Sequence, residues 1–166
     1  MTLTARAAAP DDAAALTHIY NEGIADRVGT FETLPRSVDD ILRWFDGSHP
    51  IVVVEAEGHG VIAFASTSSY RARACYAGIA EFSVYVGRHA RGQGAGGVAM
   101  RALIDAAEAA GFTKLVSRIF VTNTASRRLM ASVGFREVGV YESHAKLDGQ
   151  WRDVVIVERL IPENLH

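Results

Sequence analysis

A glycine-rich run at residues 91–97, Arg-Gly-Gln-Gly-Ala-Gly-Gly, has the residue types needed to bind an anion. It follows a stretch rich in β-branched and aromatic residues at 79–86 and precedes an alanine-rich stretch with helical spacing. In such a strand-to-helix turn, backbone amides approach a ligand closely and the helix dipole favours negative charge. Arg91 would add a charge-assisted contact. The run predicts a phosphate site formed by the amides of residues 93–97, and the alternative is a glycine loop that only joins strand and helix.

The spacing within this run argues against two common nucleotide sites. No G-x-x-x-x-G-K-[ST] string is present, so a P-loop is excluded. The run does not follow a first strand and has no acidic residue about 20 positions further on, so a dinucleotide-binding Rossmann site fits poorly. The remaining pattern is R-x-x-G-x-G over residues 91–96.

Length and composition indicate that this run belongs to an ordinary α/β domain. A length of 166 residues predicts one domain over residues 1–166. Lys and Arg total 17 against 19 Asp and Glu, so a general basic surface for nucleic acid is not expected. The single cysteine, Cys75, suits a reducing cytoplasm, and no apolar run predicts export or a membrane span.

Periodicity and turn residues predict the element order β-α-α-β-β-β-α-β-α-β-β around a mixed sheet. A Pro-Asp-Asp start and a Ser-Val-Asp-Asp cap predict the first two helices. The predicted strands are 2–7, 51–57, 61–69, 79–86, 114–121, 136–146 and 153–160, and the last two helices are 95–110 and 124–133.

Two motifs resemble those of the GNAT superfamily of N-acetyltransferases. R-x-x-G-x-G at 91–96 resembles the family's coenzyme A pyrophosphate motif, and N-x-x-S-x-x-L-x-x-x-x-G-F at 123–135 resembles its second signature. The resemblance covers nearly the whole chain. It implies a mixed, mostly antiparallel sheet of six to seven strands flanked by about four helices, and acetyl-CoA as co-substrate without a metal.

The chain is most similar to the phosphinothricin acetyltransferase branch, which includes methionine sulfoximine and arsinothricin N-acetyltransferases. The strings that carry this similarity are YN at 20–21, TFETLP at 30–35, EFSVYV at 81–86 and LDGQWRDV at 147–154, and SYRARACYAGIAEFSVYV at 69–86 most resembles arsinothricin-resistance members. The implied activity is detoxifying acetylation of the α-amine of a glutamate-like analogue.

Glu81 is the candidate general base, because an ammonium group must lose a proton before it can attack a thioester. Strand alternation puts Glu81, Ser83 and Tyr85 on one face, and apolar neighbours would desolvate the carboxylate and strengthen it as a base. The resemblance implies the same role. The alternative is a structural ion pair with one of the arginines close in sequence: Arg71, Arg73 or Arg88.

Two further catalytic roles follow from the resemblance. The backbone N–H of Val84 would polarise the thioester carbonyl. At the position where many relatives carry a tyrosine or histidine to protonate the leaving thiol, this chain has Met130, which cannot donate a proton. Tyr85, Tyr141 or water could substitute, and a thiol with a pKa of about 8.5 can also leave unaided.

The resemblance also implies binding residues. Asn123 would bond the pantetheine arm, although an N-cap of the helix beginning at 124 is equally consistent with its type. The implied cofactor-binding set is Val84, Val86, Arg91, Gly92, Gln93, Gly94, Ala95, Gly96, Gly97, Asn123 and Ser126. The implied substrate-binding set is Phe31, Arg71, Arg73, Tyr76 and Glu81, with solvated surface arginines as the alternative for Arg71 and Arg73.

Trp151 and Asp153 lie in the last hairpin, which in this family often builds a homodimer that closes the substrate pocket. Two other activities stay open: acetylation of a protein N-terminus or a polyamine, and a regulatory acyl-CoA-binding module without catalysis. The arginines at 71 and 73 disfavour a cationic polyamine, and Glu81 disfavours the inactive module. The six histidines show no metal-ligand spacing.

Overall fold

The computed structural model describes residues 2–166 and contains one seven-stranded sheet in the order β1-β2-β3-β4-β5-β7-β6. Every neighbouring pair is antiparallel except β4 and β5, which are parallel. The predicted element order and sheet type are confirmed. The elements are β1 (Leu3–Ala7), α1 (Ala13–Ala25), α2 (Val38–Leu42), β2 (Ile51–Ala56), β3 (Gly60–Ser69), β4 (Ile79–Val86), α3 (Ala95–Ala109), β5 (Lys114–Phe120), α4 (Thr124–Ser132), β6 (Arg136–Leu147) and β7 (Gln150–Leu160).

Local capping explains where the helices begin and end. Ser37 Oγ accepts the amide of Asp40 at 3.1 Å, and the Asp40 carboxylate accepts the amide of Ser37 at 2.9 Å, so the predicted capping box starts α2. Gly94 and Gly111 flank α3 with φ of +88° and +89°, a conformation that costs other residues about 1–2 kcal/mol. The glycines therefore fix both ends of α3.

The sheet is covered on both faces, and β4 contributes to both cores. Phe82 packs with α3 in one buried cluster, whereas Tyr85 packs with α1 and α2 in another. The alternation predicted for β4 is thus confirmed, with Glu81 and Ser83 on the Tyr85 face.

The last hairpin is longer and tighter than predicted. β7 begins at Gln150 rather than 153, because Asp148 and Gly149 form a two-residue turn with φ of +50° and +79°. Ser143, at φ +47°, lies in a bulge of β6, and its amide donates to Asp153 Oδ1 at 2.7 Å. Asp153 therefore holds the bulge of β6.

β4 and β5 form a gap at the centre of the sheet. Their ladder ends where Glu81 pairs with Val116, although both strands continue beyond it. A side-chain bond from Ser117 Oγ to the Phe82 carbonyl, 2.9 Å long, follows the last ladder pair. Beyond this point, the backbone donors of β4 that are turned away from β3 face a space rather than a strand.

No helix within residues 2–166 has both the length and the apolar composition needed to cross a membrane.

Candidate active site

A cavity of about 650 Å³ occupies the gap between β4 and β5. Its walls come from the end of β4, the glycine run, the start of α4 and the loop after α1. The predicted cofactor residues that line it are Val84, Val86, Arg91, Gly92, Gly94, Gly96, Gly97, Asn123 and Ser126. Nine residues chosen from β4, the glycine run and the second signature thus meet around one space.

Backbone amides of β4 point into this cavity. The amide of Gly87 donates to Ile62 of β3 at 2.7 Å, whereas the carbonyl of Phe82 faces β5. Because successive residues of a strand alternate in the direction of their polar groups, the amides of Val84 and Val86 face the gap. The donor predicted at Val84 is therefore directed at the cavity.

The glycine run forms a cradle in which backbone conformation at two positions and close packing at a third favour glycine. Gly92 and Gly94 have φ of +79° and +88°, and a Cβ on Gly96 would lie 3.0 Å from Leu129 Cδ2. The run ends at the N-terminus of the 15-residue helix α3, where the helix dipole favours an anion. The residues present therefore fit a diphosphate.

Two members of the predicted cofactor set do not line the cavity. Ala95 is buried in the core below the cradle, and Gln93 is exposed outside the lining. Ala95 packs in the core cluster with α3 and Gln93 is exposed to solvent, so neither side chain reaches the space. Only the backbone of these two residues is available to a ligand there.

Arg91 lies at the edge of the cavity in an ion-pair cluster. Asp26 Oδ2 accepts from Arg88 Nε and from Arg91 Nη1, each at 2.9 Å. Hydrogen bonds from Arg88 and then Arg91 lower the pKa of Asp26, so its carboxylate stays charged at neutral pH. An anion in the cradle would share Arg91 with Asp26.

Asn123 is the N-cap of α4, as its residue type predicted. Its Oδ1 accepts the amide of Ser126 at 3.1 Å, and its Nδ2 donates to the Val28 carbonyl at 3.0 Å. A second tether, the ion pair from Arg27 to Asp148 at 2.7 Å, holds the same loop. Asn123 therefore couples α4 to the loop that covers the cavity.

Replacing Asn123 with alanine should lower the free energy of unfolding by about 1–2 kcal/mol, because both the cap and the tether to Val28 are lost. Urea denaturation measures this loss. Thr124→Ala, an exposed substitution one residue further on, is the matched control. Equal stabilities of the two variants would show that the Asn123 bonds contribute nothing.

Met130, which occupies the usual donor position, and the candidate donor Tyr85 differ in environment. Met130 is buried and lines the cavity, so it is both core and pocket wall. Tyr85 also lines the cavity, but its ring packs against Tyr20 and Phe64 at 5.0 and 5.6 Å. Burial raises the pKa of Tyr85, so the phenol keeps its proton at any working pH.

A second cavity of about 560 Å³ adjoins the first on the α1 face of the sheet. The two share the lining residues Gly29, Phe82, Ser83, Ser117, Arg118 and Phe120. Among the residues that line only the second cavity are Phe31, Arg71 and Glu81. A ligand in one cavity can therefore reach a ligand in the other at the end of the β4–β5 ladder.

Glu81 lines the second cavity beside this junction, but it is less buried than predicted. Its side chain is 37% exposed, because the strands diverge just beyond it. The nearest cation is Arg118, whose Nη1 lies 3.9 Å from Glu81 Oε1. No ion pair joins Glu81 to Arg71, Arg73 or Arg88 within residues 2–166, so the predicted structural pairings are wrong.

The predicted substrate residues divide into two groups. Phe31 packs edge-on against Phe120 at 5.1 Å, and Arg71 lies over the Tyr70 ring at 5.0 Å, both in the cavity wall. Arg73 and Tyr76 do not line the cavity, because the single-turn helix Ala74–Tyr76 carries the chain away from it. Tyr76 reaches the wall only by packing on Tyr70.

Arg118 is a cationic lining residue that the sequence motifs did not indicate. The alternation of β5 places it on the same face as Val116 and Phe120, which line the same cavity, so a period-2 reading of that strand could have found it. Lys114 was also missed, but it is paired with Glu158 at 3.0 Å. Tyr141 and His144 complete the wall from β6, with ring centroids 4.9 Å apart.

Among the described residues 2–166, no group of three or more His, Cys, Asp or Glu side chains is placed to hold a metal ion.

Comparison with known proteins gives one consistent family. The sequence model of the acetyltransferase (GNAT) domain matches residues 2–136. The chain is 34% identical to the phosphinothricin N-acetyltransferase of Streptomyces coelicolor, covering 90% of this chain and 91% of that protein. It is 28% identical to the L-methionine sulfoximine/L-methionine sulfone acetyltransferase of Pseudomonas paraeruginosa, covering 95% and 94%.

A solved relative gives the same result for the fold. The structure of a GNAT superfamily phosphinothricin acetyltransferase from Sinorhizobium meliloti in complex with acetyl-CoA superimposes with a TM-score of 0.89 at 30% identity. The match covers 96% of this chain and 89% of that one.

Proposed function

This chain belongs to the GNAT family of acetyltransferases and uses acetyl-CoA, and from that premise we propose that it acetylates the α-amine of a glutamate-like amino-acid analogue. The candidates are phosphinothricin, arsinothricin and methionine sulfoximine, and the purpose is detoxification. The observation that carries the proposal is the pair of cavities that meet beside Glu81, one lined by the glycine cradle and one by cationic and aromatic side chains.

The first cavity is the site for acetyl-CoA, which supplies the acetyl group as a thioester. The cradle amides and Arg91 bind the diphosphate, and the start of α4 borders the pantetheine arm. The amide of Val84 is the donor that polarises the thioester carbonyl. These roles use donors that face the cavity and have no ladder partner.

Glu81 acts as the general base. Its carboxylate is at the junction of the two cavities, so an amine bound in the second cavity can give up its proton there, directly or through water. Partial exposure of Glu81 leaves room for such a water. The proton then passes to solvent, and the thiol leaves with a proton from water, since burial holds the proton on Tyr85.

The second cavity suits an anionic amino acid better than a polyamine. Arg71 and Arg118 line it, and Phe31 and Phe120 form an aromatic wall. Of the three carboxylates in the lining, Glu32 is paired with Arg36 and Glu158 with Lys114, which leaves Glu81. A polyamine would meet these two guanidinium groups with charges of the same sign. A carboxylate and an oxyanionic side chain would meet them with opposite charge.

A thiol-release assay with acetyl-CoA and a panel of amines tests the proposed function. Turnover with phosphinothricin, arsinothricin or methionine sulfoximine, and not with spermidine or peptides, is expected. Preferential turnover of a peptide N-terminus or of spermidine would contradict it. Binding of coenzyme A without turnover of any amine would instead indicate a regulatory module.

We also propose a cytoplasmic homodimer in which residues 1–166 form one catalytic domain. The supporting feature is β6, an edge strand on which the apolar side chains of Val138, Val140 and Tyr141 are about half exposed. Val138 and Tyr141 also line the second cavity, so a second copy on β6 would cover its mouth. The exposed free thiol of Cys75 fits a reducing compartment.

The mutation Val140→Glu should convert the dimer to a monomer, because it places a charge in the apolar part of this edge. Sedimentation velocity measures the change in mass. Leu165→Glu is the control at the far end of α3, where Asn164 binds the Glu108 carbonyl. A wild-type protein that sediments as a monomer would refute the dimer.

A further inference from the structure

We propose that Arg118 is a specificity-determining residue that binds the α-carboxylate of the substrate, and this inference rests on the proposed function. Arg118 is on β5, two residues beyond the last ladder pair between β4 and β5. It lines both cavities, at the junction where the transferred group must pass.

The distance between Arg118 and Glu81 determines which group of the substrate Arg118 can bind. Its Nη1 lies 3.9 Å from Glu81 Oε1, which is within ion-pair range but too long for a hydrogen bond. In an α-amino acid the carboxylate is attached to the carbon that bears the amine. An amine that approaches Glu81 therefore brings its carboxylate close to Arg118.

The guanidinium of Arg118 is available for this contact. Within residues 2–166 it donates no hydrogen bond, and its side chain is 42% exposed. The neighbouring cation Lys114 is neutralised by Glu158, and Arg88 and Arg91 are engaged by Asp26. Arg118 is thus the cation beside Glu81 with unused donors, and its planar fork matches a carboxylate.

Arg71 is suited to the other end of the substrate. It lines the second cavity but not the first, next to Tyr70. With the carboxylate on Arg118, the oxyanionic side-chain group extends away from the junction towards Arg71. Arg118 then binds the α-carboxylate of the substrate, and Arg71 binds its side-chain oxyanion.

The test compares phosphinothricin with its α-carboxamide, which keeps the amine and the phosphinate but lacks the carboxylate. Wild-type protein should prefer phosphinothricin. Arg118→Gln should lower kcat/KM for phosphinothricin roughly 10- to 100-fold, the loss of one charge-assisted contact, and should leave the carboxamide unaffected. Arg118→Lys should recover part of the loss, because it keeps the charge but not the fork.

Arg43→Gln is the matched control, since Arg43 is 75% exposed beside α2 and lines neither cavity. A urea denaturation curve for each variant shows whether the fold is retained. Equal loss on both substrates would mean that Arg118 acts through Glu81, and it would overturn the proposal. No loss on either substrate would overturn the proposal as well. In both cases the proposed function stands. Wild-type inactivity on every amino acid overturns both.

Discussion

Replacing Glu81 with glutamine should lower kcat/KM for the preferred amino acid roughly 10²-fold or more at neutral pH. The carboxamide keeps the size of the side chain but cannot accept the amine proton. The loss should shrink as the pH rises, because solvent deprotonates a growing fraction of the amine before it binds. Thiol release measured across a pH series with saturating acetyl-CoA gives both quantities.

The control for this variant is Glu57→Gln, an exposed glutamate in the hairpin between β2 and β3. It removes the same charge from the chain without touching either cavity, so its rate should equal that of the wild type. If Glu81→Gln keeps the wild-type pH–rate profile, Glu81 has no part in proton transfer. Arg118 would then face a carboxylate whose function is structural.

Replacing Gly94 with alanine should weaken acetyl-CoA binding at least tenfold. Gly94 is the N-cap of α3 at φ +88°, and an alanine forced into that conformation costs about 1–2 kcal/mol. Relaxation of that strain rotates the neighbouring amides out of the cradle. Isothermal titration of acetyl-CoA into each variant measures the change in Kd.

Gly111→Ala separates this effect from a general loss of stability. Gly111 follows the other end of α3 at φ +89°, and a Cβ at either glycine meets nothing within 4 Å. Both variants should therefore lose similar unfolding free energy, whereas only Gly94→Ala loses affinity. Equal affinities would mean that the cradle does not bind the diphosphate.

The elements of the site could be predicted because their signals are local. The alternation at 79–86 gives a strand with the bounds Ile79–Val86, and the glycines at 94 and 111 mark the limits of α3. The Asn123 cap follows from the same kind of local chemistry, since its oxygen accepts an amide three residues ahead. Residue types alone fix these features.

The relations between distant elements could not be predicted in this way. The divergence of β4 and β5 depends on where their ladder ends, which no single strand encodes. That divergence exposes Glu81, brings Arg118 to it and opens the space that the cradle faces. Asp26 is 65 positions from Arg91 in the chain, so their ion pair has no sequence signal either.

The substrate side shows the same limit. Arg71 and Arg73 are two positions apart in an irregular segment, where neither period 2 nor period 3.6 applies, and only Arg71 lines the cavity. The turn Ala74–Tyr76 decides between them. Similarity to relatives indicates that such a segment contributes to the substrate site, but it does not show which of its side chains faces the ligand.

A crystal structure of the protein with acetyl-CoA would show whether the glycine run binds the diphosphate. We expect the diphosphate within hydrogen-bond distance of backbone amides in residues 93–97, and the thioester in the gap between β4 and β5 beside Glu81. A diphosphate bound elsewhere on the surface, with the glycine run packed against neighbouring side chains, would contradict it.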